Sequence, residues 1–384
     1  ERVMEKASIP GAFDVPPVPG PSRAELLEHV YGQIEPATSG DDGVPSVERQ
    51  VEVDGGEIHV LEAGPADGPA VLMVHGFPEL AYSWRHQVPA LAAAGYRVLA
   101  VDHRGVGRSL QPSETEAYDV HHHVADLITV LDAAGIDRAV VVSHDWGTAF
   151  ADVLALVHPD RVAGLMAFNV APVGRLPVDT VTWIDQVLGG AFNYMRYFQE
   201  PGLADADLGR DPADVMARIL AGPPPGTPEA AGRDQPDGAG LMARLPPSPG
   251  LPNWLEQDEL DHFATEYART GFTGALNWYR NLERNWETTA HLDGARLAVP
   301  TAFVTGEFDA MSQLFPTELL EAHVTDHRFT VVVEGCGHWV PQERPDQANE
   351  LILRFLREVI GSGAAVPGDA APAKAPDAKV PPAR

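Results

Sequence analysis

The stretch VVVSHDWGTAFADVLALV, Val140 to Val157, decides the fold. It reads as an apolar strand, a tight turn and a helix, with Asp145 at the tip of the turn. Small residues, Ser143 and Gly147, stand two before and two after the tip, where a sharp strand-to-helix turn has no room for large side chains. This is the geometry of the nucleophile elbow G-x-S-x-G, with Ser143 in the place of the first Gly and Asp145 in the place of the Ser. Taken alone, the same residues also admit a plainer reading, in which Asp145 only caps the helix.

Outward from the elbow, the chain alternates strand and helix patterns. VERQVEVDG and EIHVLEAG, from Val47 to Gly64, alternate with a period of two and carry turn signals, so they read as a hairpin. AVLMVHG, YRVLAVD and AVVVSHD are short continuous apolar runs, as expected of strands buried on both faces. VAGLMAFNV, VPTAFVTGEFD and HRFTVVVEG continue the series, and helical periodicity occupies Val120–Ala134 and Pro341–Val359. The fold class expected is α/β, a mostly parallel sheet flanked by helices. The rhythm breaks between 174 and 292, where Trp, Tyr and patterns such as ELDHFATEYARTGF point to a mainly helical insertion, or cap, interrupted by the loop GPPPGTPEAAGRDQPDGAG. The core then comprises 46–173 and 293–361. Residues 1–45, rich in Pro, Gly and acids, read as an N-terminal arm with one short helical pattern at Arg23–Tyr31. The Ala/Pro/Gly stretch 362–384 reads as a disordered tail.

Composition narrows the function. With 27 Lys+Arg against 55 Asp+Glu, the formal charge of −28 repels nucleic acid and anionic lipid. No apolar run reaches about 18 residues, so no membrane span is expected. The lone Cys336 allows no internal disulfide and fits a reducing, cytoplasmic compartment; the first residue is Glu, which leaves a removed leader open. A homodimer is also left open.

A nucleophile needs a base, and the base an orienting acid. Asp309 follows one apolar strand in GEFDAM and His338 follows the next in EGCGHWVP, both at carboxyl ends where open α/β sheets bind ligands. The order nucleophile, acid, histidine is that of the α/β hydrolases. In VLMVHGFPE, Gly76 allows a sharp turn, and the backbone N–H groups of Phe77 and Trp146 are expected to form an oxyanion hole. His75 and His144 read as structural. His121, His122 and His123 are consecutive, cannot share one helix face and carry no accompanying carboxylate ligand, so no metal site is expected. Cys336 has no elbow of its own and is not read as a nucleophile.

Here the sequence resembles a family. HGFPELAYSWRHQ, DHRGVGRS, SHDWG, NYMRYFQEPG, TGFTGALNWYRNLERNW and GCGHW, in that order, resemble the soluble-type epoxide hydrolases of the α/β-hydrolase fold, over about residues 46–361. Ser143 stands where that family usually has Gly. The resemblance implies a helical cap whose Tyr194 and Tyr279 hydrogen-bond the epoxide oxygen over Asp145, with Tyr197 and Tyr267 left to the cap core. It implies conversion of an epoxide to a vicinal diol with water as co-substrate and no metal or organic cofactor. Phe77, Trp146 and Trp183 suggest an apolar pocket, hence a hydrophobic epoxide. Aspartate suits this chemistry. A serine opening an epoxide would form an ether, whereas a carboxylate forms an ester that activated water can cleave. A haloalkane dehalogenase also uses an aspartate elbow, but it needs no proton donors, and the two tyrosines argue for the epoxide. The same residues, with the triad, argue against a non-catalytic binding protein on this fold.

Overall fold

The computed structural model describes residues 46–221, 238–248 and 250–361. The N-terminal arm with its Arg23–Tyr31 pattern, the tail 362–384 and most of the Pro/Gly loop lie outside the described residues.

The strand that feeds the elbow, β5 (Ala139–His144), is buried at every position. It lies inside an eight-stranded sheet with β1 (Ser46–Val53), β2 (Gly56–Ala63), β3 (Ala70–Val74), β4 (Arg97–Val101), β6 (Val162–Phe168), β7 (Thr301–Gly306) and β8 (His327–Val333), in the order β1-β2-β4-β3-β5-β6-β7-β8. The first two strands form the expected hairpin, with Val53 opposite Gly56, and β2 runs antiparallel to β4; all other pairs are parallel.

The continuous apolar runs are explained by two separate cores. Val71 and Met73 of β3 pack on one face with α1 (Gln87–Ala93) and the long C-terminal helix Pro345–Ile360. Leu72 and Val74 pack on the other with α2 (Val120–Ala133) and α3 (Trp146–Val157). Every residue of such a strand therefore removes apolar surface from water. The C-terminal periodicity is two helices rather than one. Val340–Glu343 stops at Arg344 (φ −135°, ψ 59°), and Pro345 opens the next. The residue before a proline is driven out of helical geometry, and proline is favoured in a first turn.

Between β6 and β7 the described elements are all helical, from α4 (Thr180–Leu188) to α11 (Leu282–Thr288). This insertion docks on the loop after β4 through a backbone contact. A Cβ on Gly274 would lie 2.3 Å from the Gly105 carbonyl oxygen, and one on Gly105 (φ +94°) would lie 2.8 Å from the Gly274 carbonyl carbon. Trp278 Nε1 donates to the Arg104 carbonyl at 3.1 Å, and the Arg104 guanidinium is itself locked on Asp126 by two 2.7 Å bonds. The motifs DHRGVG and TGALNWY are thus two halves of one joint, and that joint carries Tyr279.

Candidate active site

Asp145 sits at φ 49°, ψ −121°, a conformation that costs a non-glycine residue about 1–3 kcal/mol. Its side chain makes no capping bond to α3, so the capping reading fails. Instead Oδ1 accepts the Phe77 N–H at 2.9 Å, across from the end of β3. The elbow is tight for a clear reason: a Cβ on Gly147 would lie 2.1 Å from the Val74 carbonyl oxygen. Gly76 is needed for closeness and not for a special turn. It has no positive φ, but a Cβ there would fall 2.4 Å from Asp145 Cβ. Ser143 is tolerated because its buried hydroxyl finds Thr148 Oγ1 at 2.9 Å and the Met166 carbonyl at 3.4 Å.

The structure brings His338 between two carboxylates, Nε2 at 3.5 Å from Asp145 Oδ2 and Nδ1 at 3.0 Å from Asp309 Oδ1. Burial opposes the imidazolium. The Asp309 charge and hydrogen bonds to both aspartates outweigh it and hold the ring well above its ordinary value. For Asp309, burial is likewise outweighed by His338, and its carboxyl lies below the usual range. Met311 N–H (3.0 Å) and Asn169 Nδ2 (2.8 Å) also donate to Asp309. Asn169, at φ 67°, accepts the Val340 N–H at 3.3 Å and donates to the Gly337 carbonyl at 3.2 Å. It therefore joins the acid loop to the histidine loop. Sequence reading gave it no role, although Asn just after a strand is a known signal for left-handed backbone.

Behind the histidine lies a buried ion pair. Glu79 accepts the Gly76 N–H at 2.7 Å and His144 Nδ1 at 2.5 Å, while His144 Nε2 meets the His338 carbonyl at 2.8 Å. Burial disfavours both charges. Their mutual attraction prevails, lowering Glu79 to about 2 and raising His144. His75 touches neither Asp145 nor His338 by hydrogen bond; its Nδ1 meets the Gly76 carbonyl and its Nε2 accepts the His103 N–H. The histidines 121 to 123 diverge: His121 meets Thr288, His122 meets Asp119, and His123 is buried against Phe150.

Tyr194 opens α5 (Tyr194–Tyr197) and Tyr279 lies in α10 (Thr273–Arg280). Their ring centroids are 5.9 Å apart. Tyr279 packs edge-on against Trp146 (4.9 Å) and Phe77 (5.3 Å). Burial, with Asp145 nearby, pushes both phenols upward, so both keep their protons at neutral pH. Tyr197 instead reaches Asp207 at 3.2 Å, and Tyr267 the Glu79 carbonyl at 3.3 Å.

A cavity of about 180 Å³ begins at Asp145 and follows one face of α3 past Ala149, Val153 and Leu156. Its walls are mostly apolar and include Trp146. Phe77 and Trp183 are not among its lining residues; the Trp183 indole N–H is bonded to the Leu314 carbonyl at 3.0 Å.

This sheet, elbow and histidine loop define an α/β hydrolase, and a family model of the alpha/beta hydrolase fold matches residues 69–207. The chain is 47% identical over 316 residues to epoxide hydrolase A of Mycobacterium tuberculosis, covering 82% of this chain and 98% of that protein. It is 38% identical over 317 residues to epoxide hydrolase 2 of Siraitia grosvenorii, covering 80% and 97%. The crystal structure of epoxide hydrolase A from Mycobacterium thermoresistibile superposes with a TM-score of 0.77 at 44% identity, over 82% of this chain and 98% of that one. The chain belongs to the epoxide hydrolases of the α/β-hydrolase fold. Among the described residues no helix is long and apolar enough to cross a membrane.

Proposed function

We propose that this enzyme converts a hydrophobic epoxide to a vicinal diol through an ester on Asp145. Asp145 Oδ2 attacks an epoxide carbon, the C–O bond breaks, and Tyr194 and Tyr279 donate to the leaving oxygen. His338, oriented by Asp309, then activates water against the ester carbonyl. The observation that carries the reading is the bridge of His338 between Asp145 and Asp309 beneath two protonated tyrosines.

The proton logic follows from the charges. In the resting site two carboxylates hold the His338 proton. Esterification removes the Asp145 charge, so the ring yields its proton more readily and becomes a base in time for the second step. The Phe77 N–H already points at Oδ1, the oxygen that becomes the ester carbonyl and then the oxyanion. As the first residue of α3, Trp146 has an N–H without an intrahelical acceptor, which suits it as the second donor.

Within this reading, 46–173 and 293–361 form the core and 174–292 the cap that supplies the tyrosines. Water is the co-substrate, and the single cysteine, buried at Cys336, supports a cytoplasmic setting.

A single turnover in ¹⁸O-water is expected to yield unlabelled diol and to leave the label in the Asp145 carboxylate, read by peptide mass spectrometry. Label appearing directly in the diol would replace the ester by direct attack of water. Tyr279→Phe is expected to slow alkylation of Asp145 about 100-fold, read as the single-turnover rate, because one proton donor to the alkoxide is gone. An unchanged alkylation rate would remove Tyr279 from the mechanism.

A further inference from the structure

The two segments that attach the helical insertion to the sheet meet at one buried ion pair. Asp152 lies on α3, two turns beyond Asp145, and lines the same cavity. Its Oδ1 is 2.8 Å from His323 Nε2, and its Oδ2 accepts the N–H of Gly174, in the segment that leaves β6 for the insertion, at 3.0 Å. His323, the last residue of helix Thr317–His323, reaches the segment that returns to β7. Its own carbonyl accepts the Leu297 N–H at 2.9 Å. Burial opposes its charge, but Asp152 and the Ala295 carbonyl outweigh it and raise the imidazole. The fit is close, since a Cβ on Gly174 (φ +66°) would lie 2.5 Å from His323 Nδ1. Outside the pair, Arg175 bonds the Trp286 carbonyl and Asp293, each at 3.3 Å, and its guanidinium lies 4.0 Å from the Trp286 ring centroid.

Neither Asp152 nor His323 touches the reacting atoms. The carboxylate holds the outgoing segment, and His323, fixed by its ring on that carboxylate, holds the returning one through its own carbonyl. Tyr194 follows the first segment and Tyr279 precedes the second. We propose that the Asp152–His323 pair is a positioning device that pins both hinges of the insertion and so fixes where the two tyrosines stand over Asp145. The proposal rests on the assignment of those tyrosines as proton donors.

That dependence makes a selective test. Opening of the epoxide uses the tyrosines, whereas hydrolysis of the ester uses His338 and the oxyanion donors. In the full chain, His323→Leu removes the ring's bond to Asp152 and Asp152→Asn removes the charge while keeping the Gly174 bond, so the second variant serves if the first does not fold. Either is expected to slow alkylation of Asp145 by about 10- to 100-fold, the scale of a misplaced catalytic group. Hydrolysis of the ester should stay within about 2-fold, since nothing in that step depends on tyrosine placement. His323→Gln, which keeps a donor toward Asp152, is expected to recover most of the rate. Hydrogen exchange should rise at 170–176 and 293–297. Alkylation at the parent rate, or both half-reactions falling together, overturns the pin. Should the parent chain form no ester on Asp145, it is the reading of the active site that fails.

Discussion

His338→Gln is expected to turn over once and stop. Glutamine cannot take a proton from water, so the ester on Asp145 should form and persist. Attack by a carboxylate oxygen on the epoxide carbon does not use the histidine as a base. Steady-state turnover should drop about 10³- to 10⁴-fold, the upper range for loss of a general base. One equivalent of epoxide should be retained per chain, as a hydroxyalkyl adduct on the peptide containing Asp145. A haloalkane offered to the same variant should leave Asp145 unmodified. Alkylation by the haloalkane and not by the epoxide would make the site a dehalogenase.

The second large effect concerns stability below neutral pH. His75, His103 and His123 form a buried ring cluster beneath the elbow, with centroids 4.7 Å apart for the first two and 5.2 Å for the last two. Burial lowers all three. Glu79 and Asp102 partly offset this at His75, whereas His75 and Arg104 add to it at His103, and Arg104 and His122 at His123. As pH falls below the unfolded value of about 6.5, the unfolded chain takes up protons that the folded cluster refuses, so stability declines. Three such groups give a loss of up to about 3 kcal/mol over the first pH unit.

The raised histidines, 144, 323 and 338, oppose this only weakly below about 6.5. Well below about 6.5 they are charged in both states and their stabilisation is fully present; it is lost as pH rises through their folded values. Carboxylates held low, such as Glu79 and Asp309, begin to count only near their unfolded values of about 4. Urea midpoints measured at pH 7.5, 6.5 and 5.5 should fall steeply over the last interval. His123→Phe should flatten that slope by about a third: neither ring nitrogen of His123 has a hydrogen-bond partner among the described residues, and the ring already stacks on Phe150. Equal midpoints at pH 6.5 and 5.5 would mean the cluster does not titrate with unfolding.

Much of this molecule is written locally. Short apolar runs, a turn with small residues on either side of Asp145, and polar residues just past strand ends are visible in a one-dimensional pattern, because strand period and turn sterics act over a few residues. What escaped the sequence depends on register. Asn169 acquires its role because β6 pairs with β7, Phe168 opposite Val304, which sets the next residue beside the acid loop. Glu79 stood in a quoted motif with no evident role, since its partners His144 and Gln342 come from distant turns. The need for Gly76 likewise arises from Asp145, 69 positions on. The cavity wall is tertiary throughout, so aromatic residues such as Trp183 could not be sorted into lining and support by type alone.

The helix after the elbow divides its labour along its length. Its first residue sits at the nucleophile, while Ala149, Val153 and Leu156 form a row of pegs along the cavity, reaching about 16 Å from Asp145. If the proposed reaction draws its epoxide into this cavity, changing a peg alters how much of it is accommodated and leaves the strained backbone of Asp145 untouched. Descendants of this chain can therefore acquire new diets by single replacements on that row, while the chemistry at the other end is inherited intact.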